Sequence, residues 1–324
     1  MRYGYYPGCS LTHSAAPYDL STRAVAAALG MQLEEVDDWN CCGATEYITL
    51  HQAAAYALIG RNLALAGQDG QSELVAPCSA CYLNLRKVDH NMALHPRLAQ
   101  RTNEALAAGG LHYEPGSLHI RHLLDVIVDD VPEADIASRV THPLHGLRVA
   151  PYYGCLIVRP KLNGGRQDPE FPTHMDHLLA GLGADVIDYP LKTHCCGGHM
   201  TQISADTAYE LIHRLLKSAQ DHDADVIVAA CPMCQLNLDA YQSQVNRHFR
   251  TDFHLPVLYF TQLMGLAFGM RPAALGLGRE IVTAAPALAK IGAVPEGIPD
   301  PEAAAPRRKR AETGLPMPRR RGES

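Results

Sequence analysis

No stretch of this sequence approaches the roughly 20 consecutive apolar residues that a membrane-spanning helix needs. The nearest, LYFTQLMGLAFGM at 258–270, is too short and is interrupted by polar residues. The opening residues, MRYGYYPGCSLTHS, lack the unbroken apolar run of a secretory signal. Excess positive charge is missing too. With 28 Lys and Arg against 34 Asp and Glu the net charge is −6, so no global field favours nucleic acid or an anionic membrane. There is no G-x-x-x-x-G-K-[ST] phosphate loop, and GLGADV at 181–186 follows a helical pattern rather than a strand, which makes it a poor dinucleotide fingerprint. The C-x2-C-x2-C-x3-C-P run of ferredoxin clusters is also absent. These absences leave a cytoplasmic protein as the expectation. At 324 residues, 47% hydrophobic and 19% charged, the chain is long enough for two ordinary domains with real cores.

Cysteine, by contrast, is plentiful, with ten residues. Reducing cytosol does not sustain structural disulfides, so a cysteine framework there points to metal binding or redox chemistry. The cysteines fall into two matching sets: Cys9, Cys41, Cys42, Cys78 and Cys81 read C-x31-CC-x35-C-x2-C, and Cys155, Cys195, Cys196, Cys231 and Cys234 read C-x39-CC-x34-C-x2-C. Such a coincidence indicates an internal duplication. The flanks repeat as well. RYGYYPGC (2–9) matches LRVAPYYGC (147–155), WNCCGATEY (39–47) matches THCCGGHM (193–200), and SELVAPCSACYLNL (72–85) matches ADVIVAACPMCQLNL (224–238), down to the trailing Leu-Asn-Leu.

Short apolar strands alternate with Ala- and Leu-rich segments at helical spacing, over 12–29 and 44–66 in the first half and 169–182 and 205–220 in the second. This predicts an α/β fold of two duplicated domains. Each is expected to have a small, mainly parallel sheet with helices, and cysteine loops at the strand ends, where ligands sit in such sheets. The expected domains are 1–140 and 146–271, with an irregular extra loop at 158–171 around Gly164 and Gly165. Residues 272–324 are rich in Pro and Ala and carry basic clusters at 307–310 and 319–321. They read as a flexible solubilising tail, or as a docking segment for an acidic partner or RNA.

Five cysteines per half need a chemical reason. A tetrahedral zinc or a cubane [4Fe–4S] cluster takes four sulfurs, which would leave one cysteine idle twice over. Adjacent cysteines also suit one small ion badly, and reach two different irons of an extended cluster more easily. The C-x-x-C pairs alone, CSAC and CPMC, could be thioredoxin-like dithiols, but that leaves six cysteines unexplained.

The pattern, with glycine after each adjacent pair, resembles the cysteine-rich CCG domain. Two tandem copies over residues 1–270 resemble the B subunit of heterodisulfide reductase, including versions from sulfur-oxidising bacteria. The resemblance implies that Cys9, Cys41, Cys42, Cys78 and Cys81 hold one noncubane [4Fe–4S] cluster, and that Cys155, Cys195, Cys196, Cys231 and Cys234 hold a second. It further implies disulfide, thiol or protein-bound sulfane-sulfur redox chemistry at the irons between the clusters. The implied partners are the ferredoxin-like (C) and flavin-bearing (A) subunits of a larger complex. Zinc in one site, and a non-catalytic relay or scaffold role in a respiratory oxidoreductase complex, are the alternatives. Around the cysteines, Pro77, Pro232, Gly43, Gly197 and Gly198 read as backbone-shaping residues, and His194 and His199 as tuning groups or plain loop residues. Tyr5, Tyr6, Tyr152 and Tyr153 read as core or as pocket lining, and Trp39 as packing beside the first cysteine pair.

Overall fold

The computed structural model describes residues 1–44, 47–68, 70, 72–160, 162 and 168–292. Each half builds one four-stranded sheet. The first contains β1 (Arg2–Tyr5), β2 (Gln32–Glu35), β3 (Glu73–Ala76) and β4 (His119–His122) in the order β2-β1-β3-β4. The second contains β5 (Arg148–Tyr152), β6 (Asp185–Val186), β7 (Val226–Ala229) and β8 (Val257–Tyr259) in the order β6-β5-β7-β8. Every pairing is parallel. The sheet order is therefore duplicated along with the cysteines. Parallel sheets bury both faces, which is why β7 is a continuous Val-Ile-Val-Ala run with all four residues buried.

The strand order reverses between the first strand of each half and the third, a switch point where loops from the carboxyl ends open a crevice. The loops after β1, β2 and β3 carry the first set of cysteines, and those after β5, β6 and β7 carry the second.

Helix boundaries differ locally from the sequence pattern. The segment expected to be helical over 12–29 is helical over Ala16–Ala28, with Pro17 in the first turn, where a missing N–H costs nothing. The pattern over 44–66 divides into Tyr47–Leu50 and Gln52–Gln68, because the His51 ring accepts the Ala54 N–H and starts a new helix. The second half breaks in the same place, between Met200–Ile203 and Ala205–Asp221. The helix expected from 169 begins at His174, two residues after Pro172. Gly164 and Gly165 of the extra loop lie outside the described residues.

The two halves pack helix on helix across a shared seam within one compact unit. Helix Ala16–Ala28 packs on Phe260–Ala267, and Leu123–Asp130 packs on His174–Gly181. Ser21 and Thr261 share a 2.7 Å hydrogen bond there, and the Tyr18 and Tyr259 rings stack with centroids 4.2 Å apart. Residues 272–292, the first part of the segment read as a tail, lie against this body. Leu275 is buried, and the Asp239 carboxylate accepts the Ile281 and Val282 amides at 2.8 and 2.9 Å. The basic clusters at 307–310 and 319–321 lie outside the described residues. Among the described residues no helix is long and apolar enough to cross a membrane.

Candidate metal centres

In each half the five thiols converge from three loops. Cys9 follows β1, Cys41 and Cys42 follow β2, and Cys78 and Cys81 begin helix Ser79–Leu94 after β3. The adjacent pair divides its work. Cys41 Sγ lies 3.4 Å from Cys9 Sγ at the exposed rim, and Cys42 Sγ lies 3.3 Å from Cys81 Sγ in the buried floor. The second half repeats this: Cys195 interacts with Cys155 at the outer edge, and Cys196 with Cys234 in the interior. Consecutive side chains on an extended loop point opposite ways, so a neighbouring pair can reach from rim to floor.

Three further features occur twice and hold these loops. The Tyr6 and Tyr152 hydroxyls, fully buried, donate to the carbonyls of Asn40 and His194 at 2.6 and 2.7 Å, each just before an adjacent cysteine pair. The Asn84 and Asn237 amides donate to the carbonyls of Cys42 and Cys196, both at 3.2 Å. Gly8 and Gly154 have φ of +74° and +69°, and a Cβ on either would sit 2.8 Å from Cys81 Sγ or 2.9 Å from Cys234 Sγ. The glycines are therefore required by the close approach of a sulfur. Gly8, Gly154, Asn84 and Asn237 are not among the residues that the sequence pattern singles out, although the repeated Gly-Cys and Leu-Asn-Leu strings carry the signal.

Of the other residues singled out, His194 reaches the site through its backbone carbonyl, and its side chain is exposed. Trp39 meets Tyr6 edge-on at 5.4 Å and donates from its indole nitrogen to Glu35. Tyr5 donates to Asp19 and Tyr153 to Asp176, and both are buried core residues.

The electrostatics favour a multivalent cationic group. Hydrogen bonds from Cys42 and Cys9, with the Gly43 amide, hold the Cys41 thiol well below its usual range, and Cys155, Cys196 and the Gly197 amide do the same for Cys195. Their neighbours are driven the other way, with Cys42 and Cys196 each pushed up to about 12, because a second thiolate would sit against the first in a buried space. Iron held by these thiols would remove that penalty by supplying positive charge among the sulfurs. Among the described residues no three His, Cys, Asp or Glu side chains close around a single ion. The donor set is all sulfur, arranged as contacting pairs, and it fits an extended iron–sulfur group better than a single zinc ion.

The two sets also meet. Cys78 and Cys231 perturb each other across the seam, Cys231 held low by Cys234, Cys78 and the first amides of its helix, and Cys78 raised by Cys231 and by burial.

Fold, duplication and thiol geometry define a tandem cysteine-rich α/β protein. The chain belongs to the CCG cysteine-rich domain family, whose domain matches residues 3–86 and again 149–239. It is 32% identical over 282 residues to the 8-methylmenaquinol:fumarate reductase membrane anchor subunit of Wolinella succinogenes, covering 87% of this chain and 97% of that protein. It is 30% identical to the B subunit of the ferredoxin:CoB-CoM heterodisulfide reductase of Methanosarcina mazei, covering 90% of this chain and 97% of that one. The B subunit of the ferredoxin/F(420)H(2)-dependent CoB-CoM heterodisulfide reductase of Methanosarcina acetivorans is 29% identical over 90% of this chain and 98% of its own. Among solved structures, a hypothetical protein from Helicobacter pylori superposes with a TM-score of 0.68 at 14% identity over 87% of this chain. This chain spans about half of that one, 52%, and the likeness is one of fold.

Proposed function

We propose that this chain is the iron–sulfur catalytic component of a heterodisulfide-reductase-like complex, an oxidoreductase acting on sulfur groups. Cys9, Cys41, Cys42, Cys78 and Cys81 would hold one noncubane [4Fe–4S] cluster, and Cys155, Cys195, Cys196, Cys231 and Cys234 the other. The observation that carries the reading is the pair of equivalent five-thiol sets gathered at the carboxyl ends of two matched parallel sheets, with Cys78 and Cys231 perturbing each other across the seam. Clusters bound there supply electrons singly, and two of them match the two electrons that cleaving a disulfide requires. The chain's own contribution is placement. The rim thiols Cys9, Cys41 and Cys195 face solvent, where a disulfide or protein-bound sulfane sulfur can approach, while the floor thiols anchor each set in the core. With no ferredoxin run in the sequence, electrons would pass through the ferredoxin-like (C) and flavin-bearing (A) subunits of the complex, in the cytoplasm.

A second reading is an electron-relay component of a respiratory complex, and the Wolinella relative, named as part of a fumarate reductase, favours it. Iron and acid-labile sulfide in anaerobically reconstituted protein test the cofactor, with about eight of each per chain expected for two four-iron clusters. Cys41→Ser should remove one cluster's EPR signal and abolish disulfide turnover. A disulfide-sensitive EPR signal supports the catalytic reading, and signals indifferent to any disulfide support the relay.

A further inference from the structure

The two halves are duplicates in ligands, yet the seam between them is not symmetric. The carbonyl of Ala230, immediately before Cys231, accepts hydrogen bonds from two hydroxyls of the other half: Tyr18 at 3.3 Å and Ser79 at 3.5 Å. All three residues are buried. Ser79 stands beside Cys78, so its bond ties the residue after Cys78 to the residue before Cys231.

The direction of every proton in this chain of bonds follows from its partners. The Leu124 amide donates to His122 Nδ1 at 3.1 Å, which fixes the neutral ring with its proton on Nε2. That Nε2 lies 3.3 Å from Ser79 Oγ. Ser79 has one proton, and a carbonyl can only accept it, so Ser79 accepts from His122 and donates to Ala230. The sequence of bonds therefore runs one way, from the Leu124 amide through His122 and Ser79 to the Ala230 carbonyl.

Among the described residues the second half returns no equivalent bond. Strand register aligns His122 with Tyr259, since Ala76 pairs with His122 and Ala229 pairs with Tyr259. Tyr259 directs its hydroxyl to Gln235 of its own half, at 3.2 Å. The residue matching Ser79 is Pro232, which has no hydroxyl, and the residue matching Ala230 is Pro77.

We infer that Tyr18, Ser79 and His122 are positioning residues, a one-way hydrogen-bond clamp by which the first half seats the Cys231 loop against Cys78 and makes the two five-cysteine sites electronically unequal. This rests on the reading that the cysteines hold iron. Donation into a carbonyl withdraws electron density from its peptide, and in a buried chain each bond strengthens the next. Hydrogen bonding around the ligand sulfurs is one of the quantities that set an iron–sulfur potential. The second-half site is therefore the more easily reduced of the two, which gives electrons a preferred order across the seam.

The test uses the full chain, reconstituted anaerobically and titrated potentiometrically with EPR detection, its two signals assigned with Cys78→Ser and Cys231→Ser. In the double variant Tyr18→Phe, Ser79→Ala, the second-half signal should move to lower potential and the first-half signal should stay. Ser79→Thr, which keeps the hydroxyl, should behave as the parent does, and so should Tyr259→Phe, which loses a hydroxyl outside the clamp. Equal movement of both signals, or none, overturns the inference. A second arm needs no iron. In metal-free protein treated with diamide, the Cys78–Cys231 disulfide should form several-fold more slowly in the double variant, relative to Cys9–Cys41 in the same molecules. An unchanged ratio overturns the clamp. Failure of the parent to take up iron overturns the cluster reading, and the cross-linking ratio still decides the clamp.

Discussion

Gly154→Ala isolates the demand that a buried sulfur makes on the backbone. Gly154 has φ of +69°, and a methyl group there would lie 2.9 Å from Cys234 Sγ. Alanine in the left-handed region costs about 1–2 kcal/mol, and forcing a methyl into a packed interior adds about 1–3 kcal/mol. The sum, about 2–5 kcal/mol, corresponds to roughly 3–8 °C in Tm for a domain pair of this size. Gly30 provides the control, because it has the same φ of +69° and nothing within 4 Å of its ideal Cβ. Gly30→Ala should show only the backbone part, about 1–2 kcal/mol. The assay is thermal unfolding of both variants without metal, then iron content after reconstitution. Gly154→Ala should fall from about eight irons to about four, since Cys234 can no longer hold its place and the first-half set is untouched. If Gly154→Ala matches Gly30→Ala in both stability and iron, the sulfur contact is not what requires the glycine and the reasoning fails.

Asn237→Ala removes amide bonds to the carbonyls of Cys196 and Gly198, the latter at 2.8 Å, and leaves buried acceptors unpaired. A loss of about 1–3 kcal/mol in urea unfolding is expected, with second-half iron lost faster to a chelator than first-half iron. Acid should destabilise the metal-free protein. Burial holds His122 down to about 4 and His174 down to about 3, below the ordinary histidine value of 6.5, so the unfolded chain is the one that binds these protons. The stability these rings contribute is therefore complete above about 6.5 and declines as the pH falls toward 4, while Asp125, raised to about 6 by burial, works in the opposite sense. Between pH 7 and pH 5 these three groups alone account for a loss of about 2 kcal/mol, and the Cys41, Cys195 and Cys231 thiols, held below their usual range in the fold, add to it in the same direction. A urea midpoint that does not fall over this interval would show that the rings are not buried neutral.

The grouping of the ten thiols into two candidate sites was legible because cysteine spacing is a one-dimensional signal. A duplicated five-cysteine ladder survives without knowledge of what packs on what, and so does the alternation of short apolar runs with helical stretches. The helix break at His51 was not legible. Periodicity continues through it, and a histidine ring taking the place of a backbone acceptor leaves no trace in the pattern. Residues 272–292 misled for a related reason. Their Pro and Ala content reads as a tail, but Leu275 sits so close over Gly265 that any Cβ on that glycine would be 2.2 Å from its side chain.

The sequence by itself determined the duplication, the ten thiols, the α/β class and the family likeness, because each depends on residues close together along the chain or on their repetition. Only the tertiary structure decided which member of each adjacent pair faces the rim and which the floor, why glycine must precede Cys9 and Cys155, and how the halves join. Tyr18 and Ser79 lie 212 and 151 residues from Ala230, and no local preference couples positions that far apart. They meet because burying the apolar faces of two half-molecules against each other brings one carbonyl to hydroxyls able to replace its lost water.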